Sequence, residues 1–118
     1  MTDSPVTVTL PRDRTAPRRA RDLIREHAAA LGGERLDAAA LLISELVTNA
    51  VLHGEGPIGL TIDVDGRGAR FTVSDHGGGT PAVRDDPGPD GGWGLRLVSQ
   101  IARRWGVEPG RTLVWFEL

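Results

Sequence analysis

Leu41-Leu-Ile-Ser-Glu-Leu-Val-Thr-Asn-Ala-Val-Leu-His53, closed by Gly54, is apolar on nearly every side but one. Residues four apart on a helix stand about 40° apart around its axis, so Glu45, Asn49 and His53 form a single polar stripe. Asp37 is placed to cap the start of this helix, Leu36 and Leu41 to staple it, and Gly54 to stop it. A helix this apolar is covered on more than one side, which turns the stripe toward an enclosed space. A carboxylate and a carboxamide there suit a hydrated hard cation and a nucleophile that needs orienting. Taken alone, Glu-x-x-x-Asn favours a core helix with a satisfied polar seam. What changes that balance lies downstream.

Upstream, Val6, Val8 and Leu10 alternate with threonines as in a half-buried strand ended by Pro11. From Thr15 to Leu31, Ala20, Leu23, Ile24, Ala28 and Leu31 recur at helical spacing until Gly32-Gly33. Downstream, Ile58, Leu60, Ile62 and Val64 mark a strand with one buried face. Asp65-Gly66-Arg67-Gly68 has hairpin-turn chemistry, so Ala69 to Asp75 pairs back antiparallel. Parity then fixes a direction: Phe71 and Val73 face the core, and Asp75, two residues on, faces the same way. An inward carboxylate at a strand end needs a donor.

Gly77-Gly78-Gly79 follows, and Thr80 to Gly91 is too rich in proline, glycine and aspartate to pack, which makes it a loop. Gly92-Trp93-Gly94-Leu95 opens a third helix whose Leu95, Val98, Ile101, Ala102 and Trp105 keep helical spacing to Gly106. Thr112 to Leu118 is a last strand, with Val114, Phe116 and Leu118 inward and Leu113 and Trp115 outward. The expected architecture is α+β: a two-layer α/β sandwich with three helices on one face of a mostly antiparallel sheet. The outer sheet face reads as polar (Thr7, Thr9, Thr61, Asp63, Arg70, Thr72), except for Leu113 and Trp115, a candidate homodimer or partner patch.

With 118 residues and 39% apolar content, one domain over residues 1–118 is expected. The formal charge of −2 gives no general pull toward nucleic acid or an anionic membrane. Arginines do gather at Arg12, Arg14, Arg18, Arg19, Arg21 and Arg25, as a solvated helix face or, second, a docking surface. Without cysteine there are no disulfides or thiol nucleophiles, and without lysine there is no Walker site. The opening Met-Thr-Asp-Ser-Pro is no secretory leader, and no apolar stretch reads as long enough to span a bilayer, so a cytoplasmic location is expected.

Three elements therefore need one ligand. An inward Asp75 suits an exocyclic amine such as that of adenine, and Gly77 and Gly79 let the backbone approach a flat ring. Free amides at the start of the third helix, behind Gly92 and Gly94, suit phosphate. Asn49 is placed for a magnesium ion bridging those phosphates, and Glu45 for polarising an attacking hydroxyl or water. Asp-x-Gly-x-Gly alone is often only a turn, and Gly-x-Gly alone only a cap.

In this order, the elements resemble the histidine-kinase-like (GHKL) ATPase superfamily. Its N box resembles Glu45-Leu-Val-Thr-Asn49-Ala-Val-Leu-His53, its first glycine box Asp75-His-Gly77-Gly-Gly79, and its second Gly92-Trp-Gly94-Leu95. The small stand-alone form, with Arg104-Trp-Gly-Val107 and Gly110 to Leu118, is similar to bacterial anti-sigma-factor serine/threonine kinases. The resemblance implies a Bergerat ATP-binding fold and an ATP or ADP site with Mg2+. Asp75 would hold the adenine amine, Asn49 would be the metal ligand and Glu45 the catalytic base. Gly77, Gly79, Gly92, Gly94 and Leu95 would contact nucleotide, under a lid at about 80–91. It also implies a sigma factor and an antagonist protein as partners, with no direct nucleic-acid or membrane binding. A nucleotide-gated binding module that transfers no phosphate is the alternative. Departures from the family pattern are an acidic lid (Asp85, Asp86, Asp90) and the bulky Trp93; Arg84 and Arg96 are the candidates for transition-state charge. His53 is better placed to stabilise its helix end than to bind ligand, and His27 and His76 read as surface residues.

Overall fold

The computed structural model describes residues 5–77, 93–108 and 112–118. The elements run β1 (Val6–Leu10), α1 (Ala16–His27), a 3-10 turn (Ala29–Leu31), α2 (Gly33–His53), β2 (Ile58–Asp65), β3 (Gly68–Ser74), α3 (Trp93–Ile101), β4 (Arg104–Val107) and β5 (Leu113–Glu117). The strands form one sheet in the order β1-β2-β3-β5-β4, with every neighbouring pair antiparallel. The α+β sandwich expected from the sequence is what forms, with the three helices against the sheet's apolar face.

The period-2 pattern sets the inner face. Ile58, Leu60, Phe71 and Phe116 are fully buried, and Phe71 pairs with Phe116 across β3 and β5, their rings stacked at 5.1 Å. The β2–β3 hairpin closes with Asp65 opposite Gly68, and the Asp65 carboxylate accepts from the amides of Arg67 (2.7 Å) and Gly68 (3.1 Å). On the outer face, Trp115 is not a bare apolar patch. Its indole lies 4.2 Å from the Arg70 guanidinium carbon and 6.0 Å from that of Arg104, and Glu117 pairs with both arginines.

Four local expectations are corrected. First, α2 starts at Gly33 behind Gly32, whose φ of +67° suits glycine, and not at Asp37. Asp37 instead lies inside the helix and pairs with Arg25 at 3.5 Å, and Leu41 is 44% exposed. Second, α1 ends at His27, and the chain passes through the 3-10 turn before Gly32. Third, α3 stops at Ile101; residues 104–107 form β4, where Trp105 pairs with Phe116, so the third helix does not reach Gly106. Fourth, α2 is by length and composition apolar enough to cross a membrane, contrary to the sequence reading. Its residues Leu42, Ile43, Leu46, Val47 and Ala50 are nevertheless part of the core.

The arginine-rich segment is partly committed to α2. Arg21 donates to Ser44 Oγ at 2.8 Å, and Arg12 donates to the Val51 carbonyl at 3.1 Å, one of the last-turn carbonyls a helix leaves unpaired.

Candidate functional site

The site is assembled by the last two turns of α2, the end of β3 and the start of α3. Asp75 directly follows β3 and continues its inward parity; at 8% exposure it is the buried acid among the described residues. Its main chain is fixed by donation from the Asp75 amide to the Thr112 carbonyl at 3.1 Å, and the next residue, His76, donates to the Glu55 carbonyl at 2.8 Å. The loop leaving α2 and the residue preceding β5 thus hold the carboxylate from both sides.

The two oxygens of that carboxylate are unequal. Oδ1 accepts the Gly77 amide at 2.6 Å, whereas Oδ2 is buried and has no hydrogen-bond partner among the described residues. A buried carboxylate oxygen without a donor is costly, and a ligand that supplies an N–H removes that cost. Gly54 allows the arrangement, since a methyl there would meet the Asp75 carboxylate, with Cγ 2.8 Å away, and the Ala50 carbonyl at 2.6 Å. The glycine read from sequence as a helix stop therefore also makes room for Asp75.

Along α2, Glu45 and Asn49 are half-buried one turn apart, and His53 is exposed in the last turn. The stripe is geometrically real, but its His53 end lies outward. Gly94, in the first turn of α3, sits directly on it: a methyl on Gly94 would come 2.7 Å from Asn49 Nδ2, 3.4 Å from Leu46 Cδ2 and 3.5 Å from the Glu45 carbonyl carbon. Leu95 is buried beside it and anchors α3 in the core. The start of α3, where main-chain amides have no helical partner, is thereby delivered to the Glu45–Asn49 turn.

The structure thus brings Glu45, Asn49 and Gly94 together and sets Asp75 and Gly77 at the neighbouring end of α2 through Gly54. Gly79, Gly92, the loop at 80–91 and Arg84 lie outside the described residues, as does the side chain of Trp93. Sequence reasoning missed Gly54 and Thr112 as supports of Asp75. The His-Gly at the end of the quoted stretch was legible only as a helix terminus, because the contact that gives Gly54 its second role is tertiary. Among the described residues no three His, Asp or Glu side chains cluster to hold a metal ion.

The family model for the histidine kinase-like ATPase domain matches residues 10–118. Among solved structures, the chain is similar to the RsbU and RsbW domains of Rv1364c from Mycobacterium tuberculosis, at 26% identity with a TM-score of 0.67. The match covers 98% of this chain and 31% of that one, so the present chain spans about a third of that structure's length. No curated protein matches it.

Proposed function

This chain belongs to the histidine kinase-like ATPase family, and we propose that it is an ATP-dependent serine/threonine kinase of the anti-sigma-factor type. In this reading it phosphorylates an antagonist protein and sequesters a sigma factor. ATP binding follows from the family; the protein substrate and the partners are the proposal. The observation that carries the reading is the buried, donor-free Oδ2 of Asp75 at the end of the Glu45–Asn49 helix.

The roles divide by element. Asp75 accepts from the adenine amine through Oδ2 while the Gly77 amide holds Oδ1 and fixes the plane of the carboxylate. Asn49 would hold a magnesium ion, which would supply positive charge to the phosphates, and the first turn of α3, with Gly92, Gly94 and Leu95, would receive them. Glu45, one turn before Asn49, would accept the proton of the acceptor hydroxyl as its oxygen bonds to the γ-phosphorus, the bond to the bridging oxygen breaks and ADP leaves. A homodimer is proposed through the Leu113 and Trp115 side of the outer sheet face.

The test is transfer of label from γ-labelled ATP, with magnesium, to proteins in a lysate of the source organism. A labelled band that disappears with Asn49→Ala supports the kinase. Retained ATP binding with no labelled band leaves the nucleotide-gated binding module as the better account.

A further inference from the structure

A cavity of about 520 Å³ opens at the end of the molecule remote from Glu45 and Asn49. It is bounded by the first turns of α2, the β2–β3 turn, the end of α3 and Leu118. Glu34 and Glu45 lie eleven residues apart on one helix, roughly 16 Å along its axis. The two sites share no lining residue.

The walls are arginines from three separate elements: Arg35 of α2, Arg67 of the hairpin turn and Arg103 after α3. None of the three is ion-paired with a carboxylate among the described residues. Arg35 reaches across to the hairpin, where a methyl on Gly68 would lie 2.8 Å from its Nη2. Asp65 is the nearby acid on the hairpin: Oδ1 of its carboxylate accepts from the turn amides of Arg67 and Gly68, and its charge is felt by Arg67 and Arg103 without a contact close enough for an ion pair. Glu34 is the acidic side chain on the lining, so three positive side chains face one negative.

The floor is apolar. Ile101 was expected in the core stripe of α3, yet it is 40% exposed here and lines the cavity with Ala38 and Leu118. Unpaired arginines around an apolar floor match a ligand with carboxylates flanking an apolar group. A volume in the range of ordinary ligand pockets admits a large aliphatic side chain with its neighbours.

We propose that this cavity is a docking pocket for an acidic peptide segment of a partner protein, with one aliphatic side chain seated on Ile101 and flanking carboxylates on Arg35, Arg67 and Arg103. The contact requires no nucleotide, so it stands or falls separately from the kinase reading.

The probe is a fluorescein-labelled dodecapeptide of alternating aspartate and glutamate with one central leucine, titrated by fluorescence anisotropy in low salt without ATP. Saturable binding to wild type is expected, weakened about tenfold or more by Arg67→Glu with Arg103→Glu. A separate loss is expected when the peptide leucine becomes serine or when Ile101→Ser is made. Circular dichroism and ATP affinity, which these distant exposed substitutions leave unchanged, report that the variants are folded. Absence of peptide binding to wild type overturns the proposal. So does equal binding by the double variant, or indifference to the leucine together with full competition by tripolyphosphate, which marks an adventitious anion site. Tighter binding of an oligothymidylate of the same length overturns it in favour of nucleic acid.

Discussion

The Gly77 amide donates to Oδ1 of Asp75 over 2.6 Å, and the same carboxylate keeps Oδ2 buried without a donor among the described residues. The bond fixes which oxygen is left for a ligand. In Asp75→Asn the amide oxygen takes the place of Oδ1 to satisfy Gly77, so an NH2 replaces the free acceptor. ATP affinity is then expected to fall at least tenfold, as loss of a hydrogen bond to a charged acceptor costs about 1.5–3 kcal/mol. Inosine triphosphate, which carries a carbonyl where ATP carries an amine, should lose less. Calorimetric titration of both nucleotides checks this, and equal losses would contradict the assigned orientation.

Gly94 makes a different prediction because the atom nearest its missing methyl is the end of a flexible side chain, Asn49 Nδ2. Gly94→Ala gains up to about 1 kcal/mol of helix propensity and pushes Asn49 aside. The urea midpoint should stay close to wild type while affinity for ATP in the presence of magnesium drops. In EDTA the two proteins should bind nucleotide more nearly alike. A variant that unfolds, or that binds magnesium ATP normally, would speak against Asn49 as the metal ligand.

These two positions also show how far the sequence is legible. The inward direction of Asp75 follows from strand parity with Phe71 and Val73, a rule that needs no tertiary information. The start of α2 was misplaced because Asp37 is a good cap residue, while the chain turns at Gly32 through a positive φ. Strand β4 was hidden because Ile101, Ala102 and Trp105 continue a helical spacing across Arg103, where neither proline nor glycine marks the break. Only the pairing of Trp105 with Phe116 across β4 and β5 reveals a strand. The arginine cavity was unreadable for a simpler reason: Arg35, Arg67 and Arg103 are far apart in sequence and meet only through the topology.

The hairpin carries a pH signature. The Asp65 carboxyl is held below its ordinary value of 3.8, first by the Arg67 amide and, after an opposing effect of desolvation, by the Gly68 amide and the charges of Arg67 and Arg103. A depressed carboxylate contributes stability that is fully present above the unfolded value and is lost as pH falls through the folded one. The difference in unfolding free energy between wild type and Asp65→Ala should therefore be constant from pH 7 to about 5 and shrink below the ordinary value of 3.8. Urea titrations at each pH measure it. A difference that grows on acidification would contradict the turn hydrogen bonds.

The core prediction concerns Phe71, fully buried and stacked on Phe116 at the centre of the sheet. Phe71→Ala should cost about 3–5 kcal/mol, as for other buried aromatic truncations. Phe71→Leu should cost substantially less. Chemical denaturation of both variants is the check, and equal small losses would mean that the sheet centre is not the main core.

The central claim is that Glu45 acts on the acceptor hydroxyl while Asp75 and Asn49 hold the nucleotide, and it is tested most directly by Glu45→Gln. ATP affinity and label transfer to the acceptor protein are measured side by side in wild type and variant. The account predicts affinity within about twofold of wild type and transfer reduced at least a hundredfold, the lower range for loss of a general base. Undiminished transfer by Glu45→Gln, with nucleotide bound normally, would contradict it.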